Sequence, residues 1–262
     1  MRPRFFTAVI VSTALVLAGC ATGGGPGGVD PGSEAPAPVT GTITVFAAAS
    51  LTEVFGVLET EFEQLHPDAD VVLSFGGSGA LATQITEGAP ADVFAAASGA
   101  PMTAVIDNAD AADSAIFTTN TLEIAVPAGN PAGVDALADL ADPAFTIALC
   151  DPSVPCGAAS EALMELAGLT AAPDTLEQDV KGVLTKIELG EADAGLVYLT
   201  DVIASGDAVE GIVVPEAADV INRYPIAVLT GAPNPGGGRA WLDFVLSEQG
   251  QAALDDAGFV AP

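Results

Sequence analysis

The sequence predicts an α/β protein built from two lobes. From residue 42 onward, short runs of β-branched residues alternate with helical patterns, which is typical of mostly parallel sheets flanked by helices. The strand candidates continue to the C-terminal region, and so many strands favour two sheets over one. The length of 262 residues, half of them hydrophobic and 5% aromatic, is enough for one or two domains with a buried core.

The N-terminal elements follow one another closely. Residues 42–47 form the first predicted strand, and a helix is predicted over about 51–65. Its apolar residues keep helical spacing: Leu51, Val54, Phe55, Leu58, Phe62 and Leu65. A second strand over 71–75 leads into a glycine-rich turn at 76–79 that opens the next helix, and 93–97 is the third strand.

The remaining elements continue the alternation. Further strands are predicted over 122–126, 146–149, 196–198, 212–214 and 226–229. Further helices are predicted over about 158–167, 180–189 and 239–257, the last of them broken near Ser247.

The charge balance excludes several classes of function. Six Lys and Arg face 35 Asp and Glu, a formal net charge of −29, so nucleic acid is not an expected partner. With one histidine and three cysteines, the chain is poor in ligands for zinc or redox metals, and it has no EF-hand motif. A small anion is still possible, because helix N-termini and hydroxyls act at contact while charges beyond about 10 Å are screened.

The N-terminus predicts an exported lipoprotein. Arg2 and Arg4 precede an apolar stretch over 5–17, and Leu17-Ala18-Gly19-Cys20 resembles a bacterial lipobox. Residues 1–19 are then a signal peptide and Cys20 the lipidated mature N-terminus, the alternative being an ordinary cleaved signal. Removal of both arginines leaves four Lys and Arg against 35 acids, a net charge of −31. Residues 20–41, rich in Gly and Pro, are expected to be a flexible tether.

The two other cysteines are separated by five residues. In an exported chain, the spacing of Cys150 and Cys156 favours a local disulfide, and two buried free thiols are the alternative.

Two serines occupy turns between a strand and a helix. Ser50 and Glu53 fit the capping-box pattern S-x-x-E, and Ser78 lies in the turn at 76–79, whose glycines allow a close approach of backbone N–H groups. Each serine can be a plain helix cap. Alternatively, each helix N-terminus can bind an anion without any cation.

The turn around Ser78 also suggests two enzymatic interpretations. Residues 77–82 match the dinucleotide pattern G-x-G-x-x-A, but no acidic residue follows the next strand to hold a ribose. The same turn approaches the nucleophile elbow of serine hydrolases, so an exported serine hydrolase using Ser78 is an alternative function. Its weakness is that the only histidine, His66, lies upstream of Ser78.

A series of motifs closely resembles the molybdate-binding proteins of ABC importers. They occur in order from Thr42 to Phe259: VFAAASLT (45–52), SFGGS (74–78), GAPADVF (88–94), DPSVPCG (151–157), DVKG (179–182), GLVY (195–198) and YPIAV (224–228). The resemblance implies a two-lobed, type II periplasmic-binding-protein-like fold with the ligand in the cleft between lobes. It also implies lobe 1 over 42–121 and 225–262, and lobe 2 over 122–224.

The resemblance further implies how the ligand is bound. Ser50 and Ser78 would offer hydroxyls and backbone N–H groups from the first lobe. The backbone N–H groups of Cys156 and Val180 and the hydroxyl of Tyr198 would come from the second. Cys156 replaces the small residue that is usual in the family, which a backbone contact should tolerate.

The implied function is that of a non-enzymatic receptor. It would capture molybdate or tungstate, need no cofactor and bind molybdenum only as the oxyanion, without direct metal ligation. A receptor for sulfate or another tetrahedral oxyanion is the nearest alternative. We expect a monomer that is lipid-anchored to the outer face of the cytoplasmic membrane and delivers its ligand to an ABC permease.

Overall fold

The computed structural model describes residues 38–108 and 110–262, and Pro38–Pro262 form one compact unit. The predicted signal peptide, the lipidated Cys20 and most of the predicted tether lie outside the described residues. In the part of the chain that the structure describes, no helix has both the length and the apolarity to cross a membrane.

The described residues form ten strands and eight α-helices. The strands are β1 (Gly41–Ala48), β2 (Ala69–Gly76), β3 (Val93–Ala95), β4 (Ala115–Asn120), β5 (Leu122–Pro127), β6 (Ile147–Cys150), β7 (Thr175–Glu177), β8 (Ala194–Tyr198), β9 (Val209–Ile212) and β10 (Asn222–Val228). The helices are α1 (Thr52–Leu65), α2 (Ser78–Thr86), α3 (Gly99–Asp107), α4 (Pro155–Leu166), α5 (Val180–Glu188), α6 (Leu199–Ser205), α7 (Pro235–Val245) and α8 (Glu248–Asp256). Short 3₁₀ helices cover Ala49–Leu51, Leu137–Ala141, Gly206–Ala208 and Pro215–Asp219.

The strands form two five-stranded sheets, ordered β2-β1-β3-β10-β4 and β7-β6-β8-β5-β9. We call the first sheet with α1, α2, α3, α7 and α8 lobe 1, and the second sheet with α4, α5 and α6 lobe 2. Both sheets are mixed, because β10 in lobe 1 and β5 in lobe 2 run antiparallel to both of their neighbours. The other pairings are parallel, as expected for strands joined by crossover helices.

Each lobe has its own hydrophobic core. In lobe 1, α1, α7 and α8 cover one face of the sheet around the fully buried Trp241, while α2 and α3 cover the other face around Phe94. In lobe 2, the core is centred on Leu122, Ile147 and Leu196. The chain passes between the sheets at Thr121, which separates β4 from β5, and again over residues 213–221.

Several elements differ from the sequence prediction. The strand predicted over 212–214 is wrong by about three residues, since β9 ends at Ile212 and Val213 is 72% exposed. Strand β4 was not predicted, because its second half is Thr118, Thr119 and Asn120. These polar residues are nevertheless buried, and both threonine hydroxyls donate to the carbonyl of Val260.

Helix α3 was not predicted, because Gly99 and Pro101 are residue types typical of loops. Both are nevertheless tolerated in the first turn of a helix. The break predicted near Ser247 is confirmed, since α7 ends at Val245 and the Ser247 hydroxyl caps α8 by accepting from the N–H of Gly250. Helix α7 begins at Pro235, earlier than predicted, because Asn234 caps it.

Candidate anion-binding site

The carboxyl ends of neighbouring parallel strands bring separate turns together. Ala48 at the end of β1 pairs with Gly76 at the end of β2, so the turns that hold Ser50 and Ser78 are adjacent. In lobe 2, Cys150 and Glu177 are paired at the ends of β6 and β7, and α4 and α5 begin shortly after them. Crevices at this edge of α/β sheets are the usual place for ligands.

All five predicted site residues line one cavity between the lobes. Ser50, Ser78, Cys156, Val180 and Tyr198 are each buried, and together they surround a space of about 20 Å³ for the centre of a water-sized sphere. A cavity of this size admits only a small ligand.

Three of these residues occupy the first turn of a helix. Ser78 and Val180 are the first residues of α2 and α5, and Cys156 is the second residue of α4. First-turn N–H groups have no partner within their own helix. Among the described residues, the N–H groups of Ser78, Cys156 and Val180 donate to no backbone carbonyl. Three helix N-termini therefore direct free donors, and the positive ends of their dipoles, at one cavity.

Two of the site hydroxyls already accept hydrogen bonds from the protein. The N–H of Ala97 donates to Ser78 Oγ at 3.1 Å, and Asn222 Nδ2 donates to Tyr198 Oη at 3.0 Å. Each oxygen thus has an acceptor position filled, which leaves its O–H to donate elsewhere.

A buried polar network supports these hydroxyls from behind the cavity. Ser50 Oγ and Tyr224 Oη are 2.9 Å apart, and Asn222 Nδ2 also donates to the carbonyl of Ala97 at 3.0 Å. Burial raises the pKa of Tyr198 well above its usual value and also raises that of Tyr224, so both phenols stay protonated at physiological pH. Sequence reasoning missed Asn222 and the role of Tyr224, because nothing in their local pattern marks a buried network.

The charges around the cavity are few and already paired. Among the described residues, no Lys or Arg lines it, and its one carboxylate, Asp179, accepts from the N–H of Gly182 as the cap of α5. Lys181 follows Val180 but forms ion pairs with Glu53 and Asp201, at 2.8 and 2.9 Å. The charges of these carboxylates raise the pKa of Lys181 although burial opposes them, so it remains a cation.

Cys150 and Cys156 form a disulfide, with their Cα atoms 5.7 Å apart. The bond joins the last residue of β6 to the first turn of α4. It therefore fixes the helix N-terminus that supplies the Cys156 N–H.

A larger groove of about 430 Å³ shares Ser50 with this cavity but is formed by α1, α6 and α8. Its polar rim includes Glu53, Glu61 and Asp256, which would repel an anion. Within the described residues, no group of three or more His, Cys, Asp or Glu is arranged to hold a metal ion.

The geometry argues against a serine hydrolase that pairs Ser78 with His66. His66 caps the C-terminus of α1 just before β2, whereas Ser78 follows β2. An eight-residue strand lies between them, which separates the two residues by about 25 Å. His66 instead packs its ring against Phe62.

Comparison with known proteins places this architecture in a family. The family model for bacterial extracellular solute-binding proteins matches residues 43–260. The chain belongs to this family. The molybdate-binding protein ModA of Mycobacterium tuberculosis is 40% identical over 239 residues, which cover 90% of this chain and 92% of that protein. The resemblance read from the sequence motifs is thereby confirmed.

Solved structures show the same fold. The periplasmic molybdate-binding protein of Azotobacter vinelandii has a TM-score of 0.74 at 21% identity, over 84% of this chain and 99% of that one. The sulfate-binding protein SubI of Mycobacterium tuberculosis has a TM-score of 0.72 at 19% identity, over 83% and 86%. At these low identities, the structural matches show the fold alone. They confirm the predicted two-lobed α/β architecture.

Membership of this family settles the general class of activity. The chain is a transport binding protein and not an enzyme, as the sequence predicts. Because the family is extracellular, the chain is exported.

Proposed function

We propose that this protein captures molybdate, and also tungstate, between its two lobes and delivers it to the permease of an ABC importer. The observation that most supports this proposal is the convergence of five predicted residues from both lobes on one small cavity lined by neutral donors. The 40% identity to a protein named as molybdate-binding supports the choice of ligand.

In this proposal the anion is held by hydrogen bonds alone. Ser50, Ser78 and Tyr198 donate from hydroxyls, and Ser78, Cys156 and Val180 donate from backbone N–H groups. Each hydrogen bond to a charged oxygen contributes about 1.5–3 kcal/mol, so a set of this size can offset dehydration of a dianion. No cofactor is needed, and molybdenum makes no direct bond to the protein.

The hydrogen bonds that two site hydroxyls already accept favour an oxyanion without a proton over phosphate. Phosphate keeps a proton at neutral pH and needs an acceptor for it, but Ser78 Oγ and Tyr198 Oη already accept from Ala97 and Asn222. A protonated oxyanion would therefore find fewer acceptors for its proton in the cavity than in water. Fully deprotonated molybdate and tungstate need only donors.

Sulfate is also fully deprotonated, so size must distinguish it from molybdate. A smaller anion would leave some donors out of reach when the lobes close. The solved sulfate-binding relative has nearly the same TM-score as the molybdate-binding one, so the fold alone does not choose between these ligands.

The remaining features concern the location of the protein. We propose a signal peptide over residues 1–19, a lipid on Cys20 and a tether that holds the receptor on the outer face of the cytoplasmic membrane. The tether, predicted over 20–41, ends before Gly41, which is the first residue of β1. We also propose that it acts as a monomer. The predicted lobes, 42–121 with 225–262 and 122–224, need one correction, because residues 222–224 pair with β4 as part of β10 and belong to lobe 1.

A thermal-shift series tests the proposed ligand. Molybdate and tungstate should raise the melting temperature at concentrations where sulfate has a small effect and phosphate none, because stabilisation grows with affinity. Equal shifts for phosphate and molybdate would overturn the proposal, and a shift with sulfate alone would favour the sulfate receptor.

A further inference from the structure

Lys181 connects three helices and is the sequence neighbour of the site residue Val180. It is the second residue of α5, directly after Val180. Its Nζ lies 2.9 and 2.8 Å from the two carboxylate oxygens of Glu53, and 2.9 Å from Asp201 Oδ1.

The two carboxylates belong to different lobes. Glu53 is in the first turn of α1 in lobe 1, three residues after Ser50. Asp201 is in the first turn of α6 in lobe 2, three residues after Tyr198, whose N–H donates to its carboxylate. The pair between Lys181 and Asp201 is thus internal to lobe 2, and only the pair between Lys181 and Glu53 joins the lobes.

Burial differs among the three side chains. Asp201 is fully buried, Lys181 is 23% exposed and Glu53 is 49% exposed. Asp201 therefore fixes the ammonium group within lobe 2, while Glu53 can return to water when the lobes separate. Such a pair forms on closure without the cost of ordering a free lysine.

We propose that Lys181 and Glu53 form an interlobe latch, which stabilises the closed form and slows release of the bound anion. Lys181 is a positioning residue in this scheme, since its ammonium is directed at the two carboxylates. The inference rests on the proposed function only for the identity of the anion.

The latch predicts a specific kinetic effect. Because the pair forms only when the lobes meet, its loss should speed release and leave the initial association of the anion unchanged. For a partly exposed pair, we expect release of molybdate to become about two- to fivefold faster in Lys181→Met and in Glu53→Gln.

Glu53→Gln distinguishes the proposed latch from a simple effect of charge on anion binding. This variant removes a negative charge near an anion site, so a charge effect alone would tighten binding. The latch predicts the opposite result, faster release and weaker binding. Lys181→Arg keeps the cation and should restore slow release, which a general packing defect would not predict.

Lys186→Met is the matched control. Lys186 lies on the same helix and its ammonium is 3.7 Å from Glu177 and 3.6 Å from Glu191, both in lobe 2. The substitution makes the same change in net charge without touching an interlobe pair, so the release rate should stay at the wild-type value.

The experiment is stopped-flow measurement of molybdate association and release for the wild type, the three single variants and the control. A double variant with Lys181→Met and Glu53→Gln should release molybdate no faster than either single variant, because both remove the same pair. Wild-type release rates in Glu53→Gln, or equal acceleration in Lys186→Met, would overturn the latch.

A failure of the proposed function would look different. If the wild type binds no molybdate, the ligand assignment is wrong, and X-ray scattering of the ligand-free protein then tests the latch. Glu53→Gln should increase the radius of gyration relative to both the wild type and Lys186→Met. Identical radii in all three proteins would contradict the latch independently of the ligand.

Discussion

Two hydroxyls in the cavity already accept hydrogen bonds from the protein, which limits the bonds left for them to make. Ser78 Oγ and Tyr198 Oη accept from Ala97 and Asn222, so their remaining capacity is mainly that of donors. A serine or tyrosine without such a partner could rotate and present a lone pair instead. The buried network thus determines that these hydroxyls act mainly as hydrogen-bond donors, and it also determines the shape of the site.

Removal of one site hydroxyl should weaken binding without harming the fold. We expect Ser50→Ala and Ser78→Ala each to lower molybdate affinity by about tenfold or more, which corresponds to about 1.4 kcal/mol. Calorimetric titration measures the change. Ser247→Ala is the control, because Ser247 caps α8 outside the cavity and should alter stability alone. Wild-type affinity in both site variants would place the anion elsewhere.

Asp201 should make stability depend on pH. Burial raises its pKa from 3.8 to about 6, although Lys181 opposes the shift. The folded state then holds this proton more tightly than the unfolded chain, so the stabilisation present below pH 4 is lost as the pH rises through 6. Relative to Asp201→Asn, the wild type should lose at most about 3 kcal/mol of unfolding free energy between pH 4 and pH 7.

Urea unfolding of both proteins at several pH values measures this difference. Parallel stability curves over the whole range would show that Asp201 has its ordinary pKa in the folded protein.

At the scale of elements, several helix N-termini converge on the cavity. The sequence alone predicts part of this arrangement. Ser50 and Ser78 lie in recognisable strand-to-helix turns, and a parallel sheet brings such turns to one edge. The contributions of Cys156, Val180 and Tyr198 came only from the resemblance to known proteins, because each has an ordinary structural role in its own element. Asn222 was missed, since its partners Ala97 and Tyr198 are distant in sequence.

The disulfide should stabilise the N-terminus of α4. Replacement of both Cys150 and Cys156 by Ala should lower the free energy of unfolding by about 2 kcal/mol, because the unfolded chain loses a constraint on a short loop. Urea denaturation of the oxidised wild type and the double variant measures the effect. Equal unfolding free energies would mean that the loop is fixed by its other contacts.

At the scale of the whole molecule, the two lobes meet at Gly77. A β-carbon on Gly77 would overlap the carbonyl oxygen of Gln178 in lobe 2, and the nearest neighbours of that position all belong to lobe 2. The backbone of Gly77 itself, with φ −60° and ψ 127°, suits any residue. Glycine is therefore needed here for closure and not for the folding of lobe 1.

Gly77→Ala should consequently weaken binding without changing the stability of the ligand-free protein. Overpacking against a backbone carbonyl costs about 1–3 kcal/mol in the closed form, so affinity for molybdate should fall by about tenfold or more. The melting temperature of the ligand-free protein should stay near the wild-type value. Gly79→Ala is the matched control, since its β-carbon would lie 3.9 Å from the Ser153 carbonyl oxygen, an ordinary contact. A loss of affinity in both variants would contradict this account.

The net charge of −29 is also a property of the whole molecule. It is compatible with an anionic ligand because the cavity is lined by neutral donors and the nearby carboxylates are paired with Lys181 or a helix N-terminus. Remote acids are screened by salt, whereas contact donors are not.

We expect an oxyanion without a proton to bind between the lobes through neutral donors. Isothermal titration calorimetry of the purified protein with molybdate, tungstate, sulfate and phosphate at neutral pH tests it most directly. We expect one site per chain, tight binding of molybdate and tungstate, weaker binding of sulfate and negligible binding of phosphate. Equal affinity for phosphate and molybdate would contradict it.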